Sequence, residues 1–146
     1  MPGISVSDPK FAKERISDQI EAAYGACNDP WERSRANGRA YSDFAFDEPH
    51  AYRLMFGFAA PDPKPPELEE AEARSLRTVT GYVADMIAGG LLEGEAEPIG
   101  RAYWAALHGL IVLRMSGRIA SDEEFERLRH ETMRLITRGA RAKRSD

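Results

Sequence analysis

Cysteine is almost missing from this chain. Cys27 is its single example, so no internal disulfide can form and a cysteine-rich zinc site is excluded. Long apolar runs are missing too. No stretch approaches the roughly 18 consecutive apolar residues of a membrane-spanning helix, and Asp8, Lys10, Lys13, Glu14 and Arg15 fall where a signal peptide needs an unbroken apolar segment. The expectation is a soluble, cytoplasmic protein with no membrane partner. A basic excess is lacking as well: 20 Lys and Arg stand against 24 Asp and Glu, for a net charge of -4. Domains that read DNA usually carry the opposite balance, because phosphate contacts need cations.

The motifs of catalysis are equally scarce. His130-Glu131 begins a zinc-protease-like string, but Arg134 stands where the second histidine ligand is needed one helical turn on. None of His50, His108 and His130 has a glutamate three residues before it, which removes the carboxylate-bridged metal bundle. There is no Gly-x-Ser-x-Gly elbow. Gly89-Gly90 and Gly94 lack the spacing of a phosphate loop, and Cys27, on the apolar face of a helix, reads as a small core residue. No catalytic residue, metal ligand or cofactor is expected, and the protein is read as not an enzyme. The basic end formed by Arg138, Arg141, Lys143 and Arg144 is explained by the helix dipole, which favours cations there by about 0.3–1 kcal/mol.

What is present is a helical pattern. The 146 residues are 42% apolar and 30% charged, the balance of one globular domain over 1–146 with flexible ends at about 1–7 and 140–146. That length suffices to bury roughly two-thirds of the unfolded surface. Six helices and no strand are expected. The first follows Ser7-Asp8-Pro9 and carries Ile16, Ile20, Ala23, Tyr24 and Cys27 at helical spacing. The second opens at Asn28-Asp29-Pro30 and runs to about Phe46, with Trp31, Ser34, Gly38, Tyr41 and Ala45 on one side. The third spans His50 to about Phe58 and is apolar nearly all round, so it belongs inside.

Pro61, Pro63, Pro65 and Pro66 form an extended linker. The fourth helix starts at Glu67, Glu69, Glu70 and Glu72, carries Leu68, Ala71, Leu76, Val79, Val83, Met86 and Ile87, and stops at Gly89-Gly90. The fifth, about Glu97 to Ser116, is the most apolar and needs cover on more than one side. Gly117 ends it. Ser121 and Glu124 form a capping box for the sixth, whose stripe is Phe125, Leu128, Leu135 and Ile136.

Aromatic and polar-aromatic residues gather in the middle of the chain: Tyr41, Phe44, Tyr52, Met55, Phe56, Tyr82, Tyr103, Trp104 and His108. Such side chains line ligand pockets between bundle helices, and they also fill ordinary cores. Trp104 and His108 are four apart on one helix face, so their N–H groups are placed to meet one ligand.

Two strings carry a family resemblance. Asp29-Pro30-Trp31-Glu32-Arg33 through Gly38-Arg39-Ala40-Tyr41, then Phe44 to Tyr52-Arg53-Leu54-Met55-Phe56-Gly57, resembles the early helices of the C-terminal domain of TetR-type transcriptional regulators. Tyr103-Trp104-Ala105-Ala106-Leu107-His108-Gly109-Leu110 resembles the Trp-x-x-x-His-Gly signature of the WHG subgroup. The resemblance covers about Phe11 to Arg141.

It implies an all-helical domain that binds a small, often apolar effector and dimerises through its last two long helices. The effector would meet Tyr41, Phe44, Met55, Phe56, Trp104 and His108. The dimer interface would draw on Leu107, Leu110, Ile111, Arg114, Phe125, Leu128 and Leu135. Family members carry a helix-turn-helix head before this domain, for which about seven residues leave no room, so DNA contact is expected only through a head not in this chain. Two other readings are a headless protein that forms mixed dimers with an intact regulator and a stand-alone small-molecule-binding protein.

Overall fold

A computed structural model describes residues 18, 22, 29–56 and 66–141, without the side chains of 54–56, 67, 68, 71, 72, 74 and 75. The described residues form five helices: α1 (Pro30–Asp47), α2 (Pro49–Phe56), α3 (Pro66–Ala88), α4 (Ala96–Met115) and α5 (Asp122–Ala140). Among them there is no strand, only an isolated antiparallel bridge between Leu92 and Arg141. The all-helical class is as expected. The first expected helix, with Cys27, lies outside the described residues apart from Asp18 and Ala22, both helical. So do the linker before Pro66 and the end after Arg141.

The helix boundaries follow local chemistry. Asp29 is extended, and its carboxylate accepts the Glu32 amide at 3.2 Å, with Pro30 in the first turn where its missing N–H costs nothing. Ser121 caps α5 in the same way, its hydroxyl accepting the Glu124 amide at 3.1 Å. The return arm of that box is displaced by one residue, because the Glu124 carboxylate accepts from the Ala120 amide at 3.2 Å rather than from Ser121. Gly90 (φ 75) and Gly117 (φ 81) take the left-handed conformation after α3 and α4, which a residue with a Cβ adopts at a cost.

The chain divides into two compact units, residues 1–78 and 79–146. In the first, α1 and α2 pack on each other and bury Asn37, Tyr41, Ser42, Phe44, Ala45, Ala51 and Tyr52. In the second, α4 and α5 pack along each other. Its buried residues include Val83, Met86, Leu92, Tyr103, Ile111 and Phe125.

The end of α3 meets α4 at a narrow crossing. Gly100 is buried, and a Cβ there would lie 2.9 Å from Cγ2 of Thr80. Only a residue without a side chain fits without displacement. The chain end is tied back at the same unit, with the Glu93 amide donating to the Ala140 carbonyl at 2.8 Å.

Candidate functional site

The site residues expected from the sequence fall into both units. In the first, Asn37, Tyr41 and Phe44 come from the buried side of α1, at spacings of four and three that return to one helix face. Tyr52 reaches them from α2. Its hydroxyl donates to the Tyr41 hydroxyl at 3.3 Å, and the two rings meet edge to face, 5.7 Å apart at 86°. Burial pushes the Tyr52 phenol well above its usual range, with the neighbouring Tyr41 adding to the effect. Tyr52 therefore stays protonated as a donor.

Ser42, also buried, satisfies its hydroxyl on the Gly38 carbonyl at 2.9 Å. This interior holds neutral hydrogen-bonding groups among aromatic rings. Met55 and Phe56 are helical residues of α2 whose side chains lie outside the described ones.

In the second unit, Trp104 and His108 lie one turn apart on α4. Their rings stack at 5.6 Å and 9°, and both residues are half-buried. The stacking turns the two rings toward each other, a closer association than a shared face requires. Burial lowers the His108 pKa below the ordinary imidazole value, so the ring is neutral at pH 7 and presents one donor and one acceptor. The neighbouring Tyr103 faces α5, its hydroxyl 2.6 Å from that of Thr137. Burial raises the Tyr103 phenol and the Thr137 hydroxyl opposes that rise.

The seven residues expected at a dimer interface separate by exposure. Leu107 (6%), Ile111 (0%) and Phe125 (1%) are buried within the chain, so they underlie a surface rather than form it. Leu110 and Leu128 are half-buried, and Leu135 is 59% exposed. Arg114 is engaged at home: its guanidinium meets the Asp122 carboxylate at 3.0 Å and the Ile119 carbonyl at 3.4 Å, which staples the α4–α5 turn.

Two apolar residues that the sequence reading did not place at the interface belong with the exposed set, Val112 (45%) and Leu113 (39%). On α4 they continue an exposed side with Ala102 and Ala105. The helical period alone could have found it, because positions 102, 105, 109, 112 and 116 return to one face without a charged residue.

Among the described residues no three His, Cys, Asp or Glu side chains gather as a metal site requires. No described helix is long and apolar enough to cross a membrane.

Comparison with known proteins assigns the fold to a family. Residues 34–136 match the family described as "Tetracyclin repressor-like, C-terminal domain", and the chain belongs to it. A solved structure titled "Structure of a protein with unknown function from Rhodococcus sp. RHA1" superposes with a TM-score of 0.81 at 21% identity, over 91% of this chain and 70% of that one. At that identity it bears on the fold alone. No curated protein gives a significant match.

Proposed function

We propose that this chain is the effector-sensing and dimerising domain of a TetR-like transcriptional regulator, acting in the cytoplasm and without catalysis of its own. Family membership over residues 34–136 is the observation that carries the reading. The effector is a small apolar or aromatic molecule. Two candidate contact sets stand separately, the half-buried Trp104–His108 stack of the second unit and Tyr41, Phe44, Met55 and Phe56 of the first. Neutral chemistry supports that class: the His108 imidazole is held uncharged by burial, and Tyr41 and Tyr52 offer hydroxyls rather than charges. Homodimerisation proceeds through α4 and α5, with Leu110, Val112, Leu113, Leu128 and Leu135 supplying surface and Leu107, Ile111 and Phe125 supporting it from beneath. DNA is reached only through a helix-turn-helix head outside this sequence.

Native mass spectrometry of the gently purified protein tests the sensing half. A retained small molecule appears as extra mass, and Trp104→Ala with His108→Ala is expected to abolish it while the helical circular dichroism persists. Unchanged retention in that variant would remove the assignment of the site.

A further inference from the structure

We infer that α3 is a joint: the helix opens reversibly on its exposed side around Gly81, and the two compact units turn about that point while each keeps its own interior. The inference is independent of any effector and of pairing between copies. Its first ground is where the chain divides. The boundary between the units, at Thr78 and Val79, falls inside the helix Pro66–Ala88 rather than in a loop. One helix therefore belongs to both units, and a bend in it turns one against the other.

The second ground is sequence. Thr78-Val79-Thr80-Gly81 sets three β-branched residues and a glycine in a row. All four rank low as helix formers, because branching at Cβ restricts χ1 and glycine gives up the most backbone freedom. Leu76 and Arg77 before them and Ala84 and Met86 after them favour the helix. The weakest run in the interior of α3 thus stands at the unit boundary.

The third ground is Gly81 itself. It is helical rather than left-handed, exposed, and a Cβ there would meet nothing within 4 Å. Gly90 answers to a positive φ and Gly100 to the close approach of Thr80, but neither reason applies at 81. What the missing Cβ changes is the freedom of the backbone. The surroundings give the opening a direction. Val79, Tyr82, Val83 and Met86 are buried along one side of α3, whereas Arg77, Gly81, Ala84, Asp85 and Ala88 are exposed along the other. Packing holds the first side. On the second, the helical pattern joins the amides of Gly81 and Asp85 to the carbonyls of Arg77 and Gly81, where water competes as the turn loosens.

Pulsed electron paramagnetic resonance tests the joint. Spin labels at Arg35→Cys and Arg127→Cys, both exposed positions, put one probe in each unit, and labels at Glu95→Cys and Arg127→Cys put both in the second. Cys27→Ala removes the native thiol, and dilution with excess unlabelled protein confines the reading to pairs within one chain. The distance distribution across the units is expected to be clearly broader than the one within the second unit. Gly81→Ala should narrow it toward that control, because alanine lowers the opening of the turn about fivefold. Gly139→Ala, at another exposed helical glycine with open space around it, should leave it unchanged. Amide exchange adds a local readout, with protection of Asp85 rising about fivefold in Gly81→Ala and that of Ile111 unaltered. A distribution across the units as narrow as the control, or one that Gly81→Ala does not narrow, would overturn the joint.

Discussion

The interior of α1 and α2 and the outer sides of α4 and α5 treat polarity in opposite ways. The first encloses hydroxyls and an amide: Tyr41, Tyr52, Ser42 and Asn37 are all buried. The second leaves Val112, Leu113 and Leu135 in solvent. Burying a polar group costs stability unless it is bonded, and exposing large apolar groups forgoes the main driving force of folding. A chain selected for stability alone has reason to do neither. The contrast therefore separates buried hydrogen-bonding groups inside the first unit from the exposed apolar surface of the second, through which we propose association.

Within the second unit the comparison is sharpest between Phe125 and Leu135, ten residues apart on α5. Phe125→Ala is expected to cost about 3–5 kcal/mol in denaturant unfolding, because it opens a cavity at a site only 1% exposed. Leu135→Ser is expected to change the stability of an isolated subunit by no more than about 0.5 kcal/mol, yet to weaken dimers. Equal costs for the two would erase the distinction between core and surface on this helix.

A smaller effect belongs to the α3–α4 crossing. Gly100→Ala places a Cβ 2.9 Å from the Thr80 methyl carbon, and overpacking of that kind costs about 1–3 kcal/mol. Adding Thr80→Ser removes the methyl and should recover most of the loss. If urea midpoints show no recovery, the close approach is not the cause.

In the first unit Tyr52→Phe removes the donor to Tyr41 without changing shape, for an expected loss of about 0.5–1.5 kcal/mol in the same assay. A neutral outcome would mean that the hydroxyl pair contributes nothing to stability.

The mildest expectation concerns pH. Burial holds the folded His108 below its ordinary 6.5, so the unfolded chain takes up this proton first as pH falls. The contribution of neutral His108 to stability is thus complete above about pH 6.5 and declines as pH drops from there toward the folded pKa. Melting temperatures from pH 7.5 to 5 should fall less steeply in His108→Gln. Identical slopes would show that other groups govern that range.

Most of the helix plan was legible because its signals are local. Asp29-Pro30, Ser121 with Glu124, Gly90 and Gly117 each act within a turn, and their capping bonds or positive φ values appear where the residue types direct them. The family resemblance was legible for a similar reason, since its strings lie within single helices or adjoining ones. Contacts between distant residues were not. Tyr41 meets Tyr52 across the α1–α2 turn, Tyr103 meets Thr137 across 34 residues, and Gly100 fits against Thr80. Periodicity reports which face a residue occupies but not what packs on it.

The same limit explains Arg114. Its place near the end of an apolar helix suited an interface, whereas the short α4–α5 turn brings Asp122 and the Ile119 carbonyl within its reach. Burial of Leu107, Ile111 and Phe125 likewise depends on the packing of α4 on α5, which no single-helix pattern contains.

Sedimentation equilibrium of the native protein beside a Leu113→Asp, Leu135→Asp variant tests the central claim most directly. Twice the 16.3 kDa chain mass is expected for the native protein and the single-chain mass for a variant that retains its helical circular dichroism. A native monomer, or a variant that dimerises as well as its parent, would contradict it.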